Sequence, residues 1–467
     1  FQDTVTIANR WTISAGVRFD KAWNWNPAQK RLDSPWCGQT TGLSMPDIFC
    51  GGEFAEQPVA FEFNDLTPRI GVVWDVTGDG TWALKANFSR YPEALGISYG
   101  GTTNVNDVGS EDWNWYDPNG DGIFQFGEQT TMRSSWYPGA GTEVDDELQA
   151  PLTDEYTFGI EHEVFDDILL SATGIYRGRR DDVGTLNIGV PFGIMFDSDK
   201  CKAECTPVNP WGTDPWVKLQ TVDPGDDGVI GTADDGGPIP IWAVNPNTYG
   251  TNNYLTTNPN VWGFHDDTWY KGVSMVASKR WSNNWQMLAS WDIGVSEYQG
   301  SAYNPNSLWN SRRQYSSNHR DHILKLTANY LVAEPIGVNL GIFIRAQSGQ
   351  ARYANYTYDN EVLEALGPYG NQSNWGMTVV GRGEMNDKQC NGCERPNNEP
   401  FTTLVDVRAE KQFTIGKYGV VHAYFDVFNV MNANTITSFY STINSRWNEP
   451  TYVLPPRVMR IGGAWDF

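Results

Sequence analysis

Apolar residues fall at every second position over long runs of this chain, which puts them on one face of an extended strand with polar residues on the other. Between 285 and 295, Trp285, Met287, Ala289, Trp291, Ile293 and Val295 oppose Gln286, Ser290 and Asp292, with Leu288 the exception. Val421, Ala423, Phe425 and Val427 oppose His422, Tyr424 and Asp426, and Leu324, Leu326, Ala328 and Tyr330 oppose Lys325, Thr327 and Asn329. In the last run Met459, Ile461, Gly463, Trp465 and Phe467 oppose Arg460, Gly462, Ala464 and Asp466. Such a chain must build a sheet with one apolar and one wet face. A soluble sandwich would bury the apolar face, and a membrane barrel would turn it to lipid.

The connections separate these readings. Strand-like runs come in couples: 1–8 with 10–20, 67–76 with 81–90, 155–164 with 168–179, 269–281 with 284–297, 322–332 with 336–347, and 402–413 with 419–430. Each couple meets at a tight, turn-rich junction such as Thr77-Gly78-Asp79-Gly80 or Ser282-Asn283, and 456–467 follows as a 13th strand. Long segments rich in Gly, Pro, Asn, Asp and Trp separate the couples, near 21–66, 91–154, 180–268, 298–321, 348–401 and 431–455. Short turns at one end and long loops at the other are the pattern of an outer-membrane barrel, whereas a sandwich has shorter, more even loops. The expected fold is all-β: a transmembrane antiparallel β-barrel with long extracellular loops.

Composition agrees. No stretch approaches the ~18 continuous apolar residues of a membrane helix. A mean hydropathy of -0.48 decides nothing, because a barrel hides its apolar residues in every second position. The 21 Trp, 21 Tyr and 21 Phe suit membrane interfaces, sugar-stacking surfaces and packing within loops. A net charge of -23 disfavours nucleic acid and anionic lipid surfaces as partners and suits cations. Six cysteines form three close pairs, Cys37 with Cys50, Cys201 with Cys205 and Cys390 with Cys393, each in a Gly/Pro/Asn-rich segment. Local pairing implies loop disulfides in an oxidising compartment. Zinc is the competing reading for Cys390-Asn391-Gly392-Cys393, but no second pair or His cluster accompanies it.

Several segments together resemble the Oar-like TonB-dependent outer-membrane receptors of Gram-negative bacteria. They are Leu66-Thr-Pro-Arg-Ile-Gly-Val-Val-Trp-Asp-Val-Thr-Gly-Asp-Gly80, Thr153-Asp-Glu-Tyr-Thr-Phe-Gly-Ile-Glu161, Tyr270-Lys-Gly-Val273, Asp426-Val-Phe-Asn-Val-Met-Asn-Ala-Asn434 and Leu454-Pro-Pro-Arg-Val458. The resemblance runs from end to end, in order. It implies a barrel of about 22 strands occluded by an N-terminal plug, which imports a scarce nutrient with energy passed by TonB. Residues 1–467 are then expected to be the C-terminal portion of the barrel, about the last 13 strands, with plug, TonB box and first strands absent. An open sheet leaves two edges that hydrocarbon does not tolerate, so either the chain lacks its front or another chain closes the barrel.

The sharpest site motif is Asp117-Pro-Asn119-Gly-Asp121-Gly122-Ile123-Phe-Gln125-Phe-Gly-Glu128. Oxygen donors at positions 1, 3 and 5, Gly at 6, a backbone carbonyl at 7, Gln125 at 9 and Glu at 12 have the spacing of a calcium loop. The competing reading is an acidic solvated turn, and no flanking helices are evident. A second candidate places Asp223, Asp227, the Val229 carbonyl and Asp234 at positions 1, 5, 7 and 12, with Gly225 leaving position 3 without a ligand. Asp75-Val-Thr-Gly-Asp79-Gly80 opens in the same way but has Ala86 at position 12, so it reads as a hairpin turn. Calcium in the two loops would be structural, stiffening extracellular segments as disulfides would.

Catalytic readings are poor. His162, His265, His319, His322 and His422 show no nucleophile or metal spacing, and no Gly-rich phosphate loop is present. Substrate contact falls to loop aromatics such as Trp113, Trp115, Trp136, Trp211, Trp216, Trp242 and Trp262, none assignable singly, with core packing as their competing role. The chain therefore reads as a receptor that imports a small or oligomeric nutrient, not an enzyme, with outer-membrane lipid and TonB as partners. The alternatives are an export, surface-display or adhesion barrel, and a secreted calcium-dependent carbohydrate-binding β protein.

Overall fold

The structure is a computed structural model. It describes residues 1–35, 37–38, 50–57, 62–96, 101, 104, 106, 110–136, 142–165, 167–191, 216–222, 231–233, 235, 238–244, 253–264, 268–298, 314–315, 320–350, 354–358, 375–379, 399–441, 446 and 449–467.

One sheet dominates. Its strands are β1 (Gln2–Ile7), β2 (Trp11–Trp23), β3 (Glu62–Asp75), β4 (Trp82–Pro92), β5 (Leu152–Phe165), β6 (Ile168–Arg180) and β7 (Thr268–Ser282), then β8 (Trp285–Tyr298), β9 (His322–Leu331), β10 (Val338–Gln347), β11 (Thr402–Thr414), β12 (Val420–Phe428) and β13 (Val458–Asp466). Every strand pairs antiparallel with its neighbour in sequence, so the 13 strands form an uninterrupted meander. All 13 expected strands are present. Among the described residues, β1 pairs only with β2 and β13 only with β12, leaving an open edge at each end of the path.

Directly paired residues share a face, so the register carries the alternation across the sheet. One row reads Ile13, Val72, Ala86, Phe158, Gly174, Val273 and Ile293. The next row, on the opposite face, reads Ser14, Gly71, Asn87, Thr157, Ile175, Gly272 and Gly294. The apolar face is not covered by protein: Phe19 is 64%, Phe158 60% and Ile461 85% exposed. A soluble protein does not leave thirteen strands of apolar side chains open to water, whereas lipid satisfies them at no cost in polar contacts. This excludes the secreted soluble alternative.

The short turns fit the residues they use. Asn283 and Asn284 both have positive φ (50° and 64°), as a two-residue hairpin turn requires, and Ala8 and Asn9 (52° and 53°) adopt the same conformation between β1 and β2. Between β3 and β4, Asp75 accepts hydrogen bonds from the Gly78 and Gly80 amides (2.7 and 3.0 Å). The neighbouring Asp79 accepts from the Thr77 hydroxyl (2.5 Å), the Thr81 hydroxyl (2.7 Å) and the Thr81 amide (3.0 Å). Adjacent turns are also tied to each other, through Lys279 to Asp167 (2.7 Å) and Arg280 to Glu163 (2.8 Å).

The long connections hold further strands that sequence periodicity does not single out, including hairpins Gln29–Arg31 with Gly52–Phe54 and Ser110–Trp115 with Gln129–Trp136. Gly184–Asn187 pairs antiparallel with Tyr254–Thr257, which pairs parallel with Thr142–Val144. The long connections carry most of the buried core: Leu186, Ile188, Val190, Trp216, Leu255, Trp262 and Phe264 are all buried. The sheet is thus dry on its outside and wet on its inside, and of the buried apolar side chains among the described residues all but Phe63 lie in the loops.

The wet face and the β3–β4 turn each yield a prediction. Tyr270 lies across Gly272 and Gly294, where a Cβ on Gly294 would sit 2.6 Å from the Tyr270 hydroxyl and one on Gly272 would meet the Ile293 carbonyl at 2.9 Å. Gly272→Val should cost about 1–3 kcal/mol through overpacking, read as a lower urea midpoint for the refolded barrel; an unchanged midpoint would contradict the close approach. The three hydrogen bonds to Asp79 hold its carboxyl at about 2, below the ordinary 3.8. Because the folded value is the lower one, the stabilisation is full above the ordinary value and lost as pH falls from 3.8 towards about 2. Asp79→Asn should remove that acid-side loss, so parallel midpoint-against-pH curves for the two proteins would refute it.

Candidate functional site

With the apolar face turned to lipid, the wet face of the sheet is the wall of the lumen. Its charges are laid out as cross-strand pairs. Lys85 donates to Glu161 at 2.6 Å, Arg177 Nε to Glu155 at 2.8 Å and Ser274 to Asp292 at 2.6 Å. Asp426 is 2% exposed and lies between two arginines: Arg408 donates at 2.6 and 3.2 Å, and Arg460 at 2.8 Å. Both guanidiniums remain about half exposed and lie against the Tyr424 ring, at 4.6 and 5.9 Å. The buried carboxylate fixes two cations that face the lumen. His422 sits between Glu410 (2.9 Å) and Asp466 (3.0 Å). The wall can orient and screen a polar solute.

The hairpin Ser110–Trp115 with Gln129–Trp136 carries the loop Asp117–Glu128 at its tip. Asp117 accepts from the Gly120 and Gly122 amides (2.7 and 2.9 Å), and Asp121 accepts from the Ile123 amide (2.8 Å). Those contacts lower the Asp117 pKa, the Gly122 amide contributing most. Gly120 and Gly122 take positive φ (75° and 72°), which the tight turn requires. Asp75 makes the same pair of bonds three and five residues on, so the first half of the loop is a self-closing turn that also forms where position 12 is alanine. The second half is different. Gln125 donates to Asp121 (2.7 Å), and the buried Glu128 accepts from the Gln125 amide and from the Trp115 indole (2.9 Å each). Asn119 joins Asp121 and Gln125, at 3.2 Å to each. All six expected residues, Asp117, Asn119, Asp121, Ile123, Gln125 and Glu128, therefore belong to one hydrogen-bonded loop. Among the described residues, however, the only three His, Cys, Asp or Glu ligand atoms within 4.8 Å of one another are those of Asp33, Cys37 and Cys50.

Cys37 and Cys50 are joined in a disulfide, as their spacing predicts, with 4.6 Å between Cα atoms, so that cluster has no thiolates to offer a metal. The other two expected disulfides, Cys201 to Cys205 and Cys390 to Cys393, lie outside the described residues. So do Asp223, Asp227, Val229 and Asp234 of the second loop, together with Trp211, His265 and His319 and the side chains of Trp136 and Trp242.

Of the other loop tryptophans, Trp216 and Trp262 are core residues. Trp216 donates to the Val190 carbonyl (3.2 Å) and Trp262 to the Thr257 hydroxyl (3.0 Å). Trp113 is half-buried and Trp115, 46% exposed, is held by Glu128. Asn258 binds two other segments at once, accepting from the Gln149 amide (2.7 Å) and donating to the Gln149 and Asp181 carbonyls (2.9 and 2.8 Å). Of the described histidines besides His422, His162 stacks on Trp82 with ring centres 3.7 Å apart, and His322 lies 6.1 Å from Trp291.

Asn429 belongs to one of the family-like segments, and its role is not evident from sequence. It takes positive φ (50°), donates to the Ala433 and Pro455 carbonyls (2.9 Å each) and accepts from the Ala433 amide (2.8 Å). Its own amide binds Asp406 at 2.8 Å. One side chain thus ties the strand β12 to the chain that returns into β13. Asparagine's tolerance of left-handed backbone is the only signal that could have found it.

A family model described as an outer membrane beta barrel domain matches residues 1–345. No curated protein matches the chain. Among solved structures, the ferripyoverdine receptor of the outer membrane of Pseudomonas aeruginosa is 12% identical, with 100% of this chain and 38% of that one covered and a TM-score of 0.44. The siderophore receptor PiuA from Acinetobacter baumannii is 10% identical (99% and 41% covered, TM-score 0.47). The FrpB iron transporter from Neisseria meningitidis is also 10% identical (99% and 44% covered, TM-score 0.45). The chain spans less than half the length of each of these three proteins. With a family match over residues 1–345 and a sheet whose outer face suits lipid, this chain belongs to the outer membrane β-barrel domain family and resides in the bacterial outer membrane.

Proposed function

We propose that the chain forms part of the wall of an Oar-like, TonB-dependent receptor that imports a scarce small or oligomeric nutrient through a plugged barrel. The observation that carries this reading is the width of the wet face. Barrels of about eight strands fill their interior with side chains, whereas those of about 16 or more enclose water or a plug. Thirteen neighbouring strands with paired charges on their inner face already exceed the self-filling size. An acidic, aromatic-rich set of loops above that lumen suits capture of cargo from outside, and TonB coupling through a plug supplies the energy for release. The test compares a strain lacking the gene with one lacking TonB, following depletion of the medium by mass spectrometry. Import predicts at least one nutrient that both strains fail to take up. Normal uptake of every nutrient by the gene deletion, with loss of surface attachment, would replace import by display or adhesion.

Calcium belongs to the same reading, as a structural cofactor of the loops. Asp117, Asn119, Asp121, the Ile123 carbonyl and Glu128 supply the oxygens of one site, with Gln125 at the ninth position; Asp223, Asp227, the Val229 carbonyl and Asp234 supply those of a weaker second. Affinities of about 10⁻⁴–10⁻³ M suit sites facing the exterior. Trp115, bonded to Glu128, is placed to sensitise a lanthanide in the first loop. Terbium luminescence excited through tryptophan should rise on binding, fall on addition of Ca²⁺, and drop sharply in Glu128→Gln. If Glu128→Gln leaves the signal unchanged, the 117–128 loop is a self-closing turn like 75–80.

A further inference from the structure

The lipid-facing side of the sheet is interrupted by a groove of about 1040 Å³ between β3 and β8. Gly174 forms its floor, because the row that places Phe158 and Val273 on either side puts no side chain between them. Tyr176 and Ile293 line it, and Lys271 stands at its upper rim, towards the long loops. A second groove of about 540 Å³ lies next to it, lined by Ile160, Ala172, Met275 and Trp291, each two residues further towards the short turns. From Lys271 to Ala277 the track covers six residues, about 20 Å of strand and about 15 Å of membrane depth at a tilt near 45°, which is one leaflet.

Lys271 is exceptional in its company. The other lysines and arginines that the register places on the lipid face each have a partner: Lys21 has Glu62 (2.9 Å), Arg90 has Asp154 (2.6 Å), Arg180 has Asp181 (3.2 Å), Lys279 has Asp167 (2.7 Å) and Lys411 has the Ile336 carbonyl (2.8 Å). Among the described residues the Lys271 ammonium meets only rings, Trp269 at 4.2 Å and Tyr176 at 5.7 Å. A cation on a hydrocarbon-facing surface is expensive unless an anion reaches it. In the same strand Lys279, at the short-turn end, is neutralised within the protein by Asp167, and Lys271 is not.

The geometry points to a lipid-binding site on the outer wall: Lys271 holds the phosphate of an anionic lipid of the outer leaflet, and an acyl chain of that lipid lies in the groove over Gly174. The net charge of -23 bears on surfaces in water and does not oppose this, because no carboxylate pairs with Lys271 among the described residues. The rings beneath the ammonium confine it while leaving its hydrogens free to bind phosphate oxygens.

The test uses the full-length protein in bilayer discs of phosphatidylcholine with one fifth phosphatidylglycerol, with retained lipid counted by native mass spectrometry. Wild type should keep one phosphatidylglycerol in preference to phosphatidylcholine. Lys271→Gln should retain about tenfold less, the loss of one charge-assisted contact. Gly174→Leu should do the same with the lysine intact: a Cβ at Gly174 comes no closer than 3.7 Å to the Phe158 carbonyl, so the leucine fills the groove without disturbing the strand. Lys417→Gln, at a turn lysine over Tyr418 outside the groove, is the control and should bind as wild type. Heat-modifiable migration on a gel verifies that each variant is folded. Equal retention of the two lipids by wild type, or full retention by Lys271→Gln, overturns the phosphate assignment. Full retention by folded Gly174→Leu overturns the groove.

Discussion

Everything in this structure depends on the backbone finding its hydrogen bonds without water. Within hydrocarbon an unpaired amide or carbonyl costs several kcal/mol, on the order of a whole domain's margin of stability when a few are summed. A meander of nearest neighbours is the simplest sheet that meets this demand, since each strand is paired as soon as the next is made. The outer side chains then need only be apolar, the inner ones only wet, and the packed core of an ordinary domain is displaced into the loops, where Leu186 and Trp262 are fully buried.

This explains what could be read from the sequence. A strand that faces lipid on one side and water on the other must alternate, so Trp285 to Val295 and Leu324 to Tyr330 declare themselves. The turns were legible because Asn283, Asn284 and the Asp75–Gly80 segment use residues suited to left-handed or side-chain-capped backbone. Boundaries shifted by a few residues, most at Glu62–Asp75, which begins five residues before its expected start because Asn64 and Glu62 extend the ladder with β2. The loop strands escaped because they are short: three or four residues, as in Gln29–Arg31 and Gly184–Asn187, are too few for a period to show. Trp216 and Trp262 looked like candidate contact surfaces only because burial, unlike periodicity, is not written in spacing. Lys271 was invisible for the opposite reason: one lysine in a strand means nothing until the register shows which face it shares and the structure shows that, among the described residues, its ammonium meets only rings.

The calcium motif shows how far a spacing can be trusted. Asp117 and Asp75 belong to different settings, an extracellular hairpin tip and a short turn, yet both clamp the amides three and five residues ahead. The pattern Asp-x-x-Gly-x-Gly therefore encodes a turn first. Only the second half, where Gln125 and Glu128 fold back on the first, distinguishes the longer loop.

The small sheet above the barrel joins segments that are far apart in the chain. Thr142–Val144 belongs to the connection after β4, while Gly184–Asn187 and Tyr254–Thr257 belong to the connection after β6. Asp145 accepts from the Thr257 hydroxyl, and Asn258 reaches back to Gln149. Neither connection can swing aside alone without opening a shared hydrophobic interior. The two connections are accordingly locked together at this sheet, so a substitution on one of them that disturbs the joint is felt by the other.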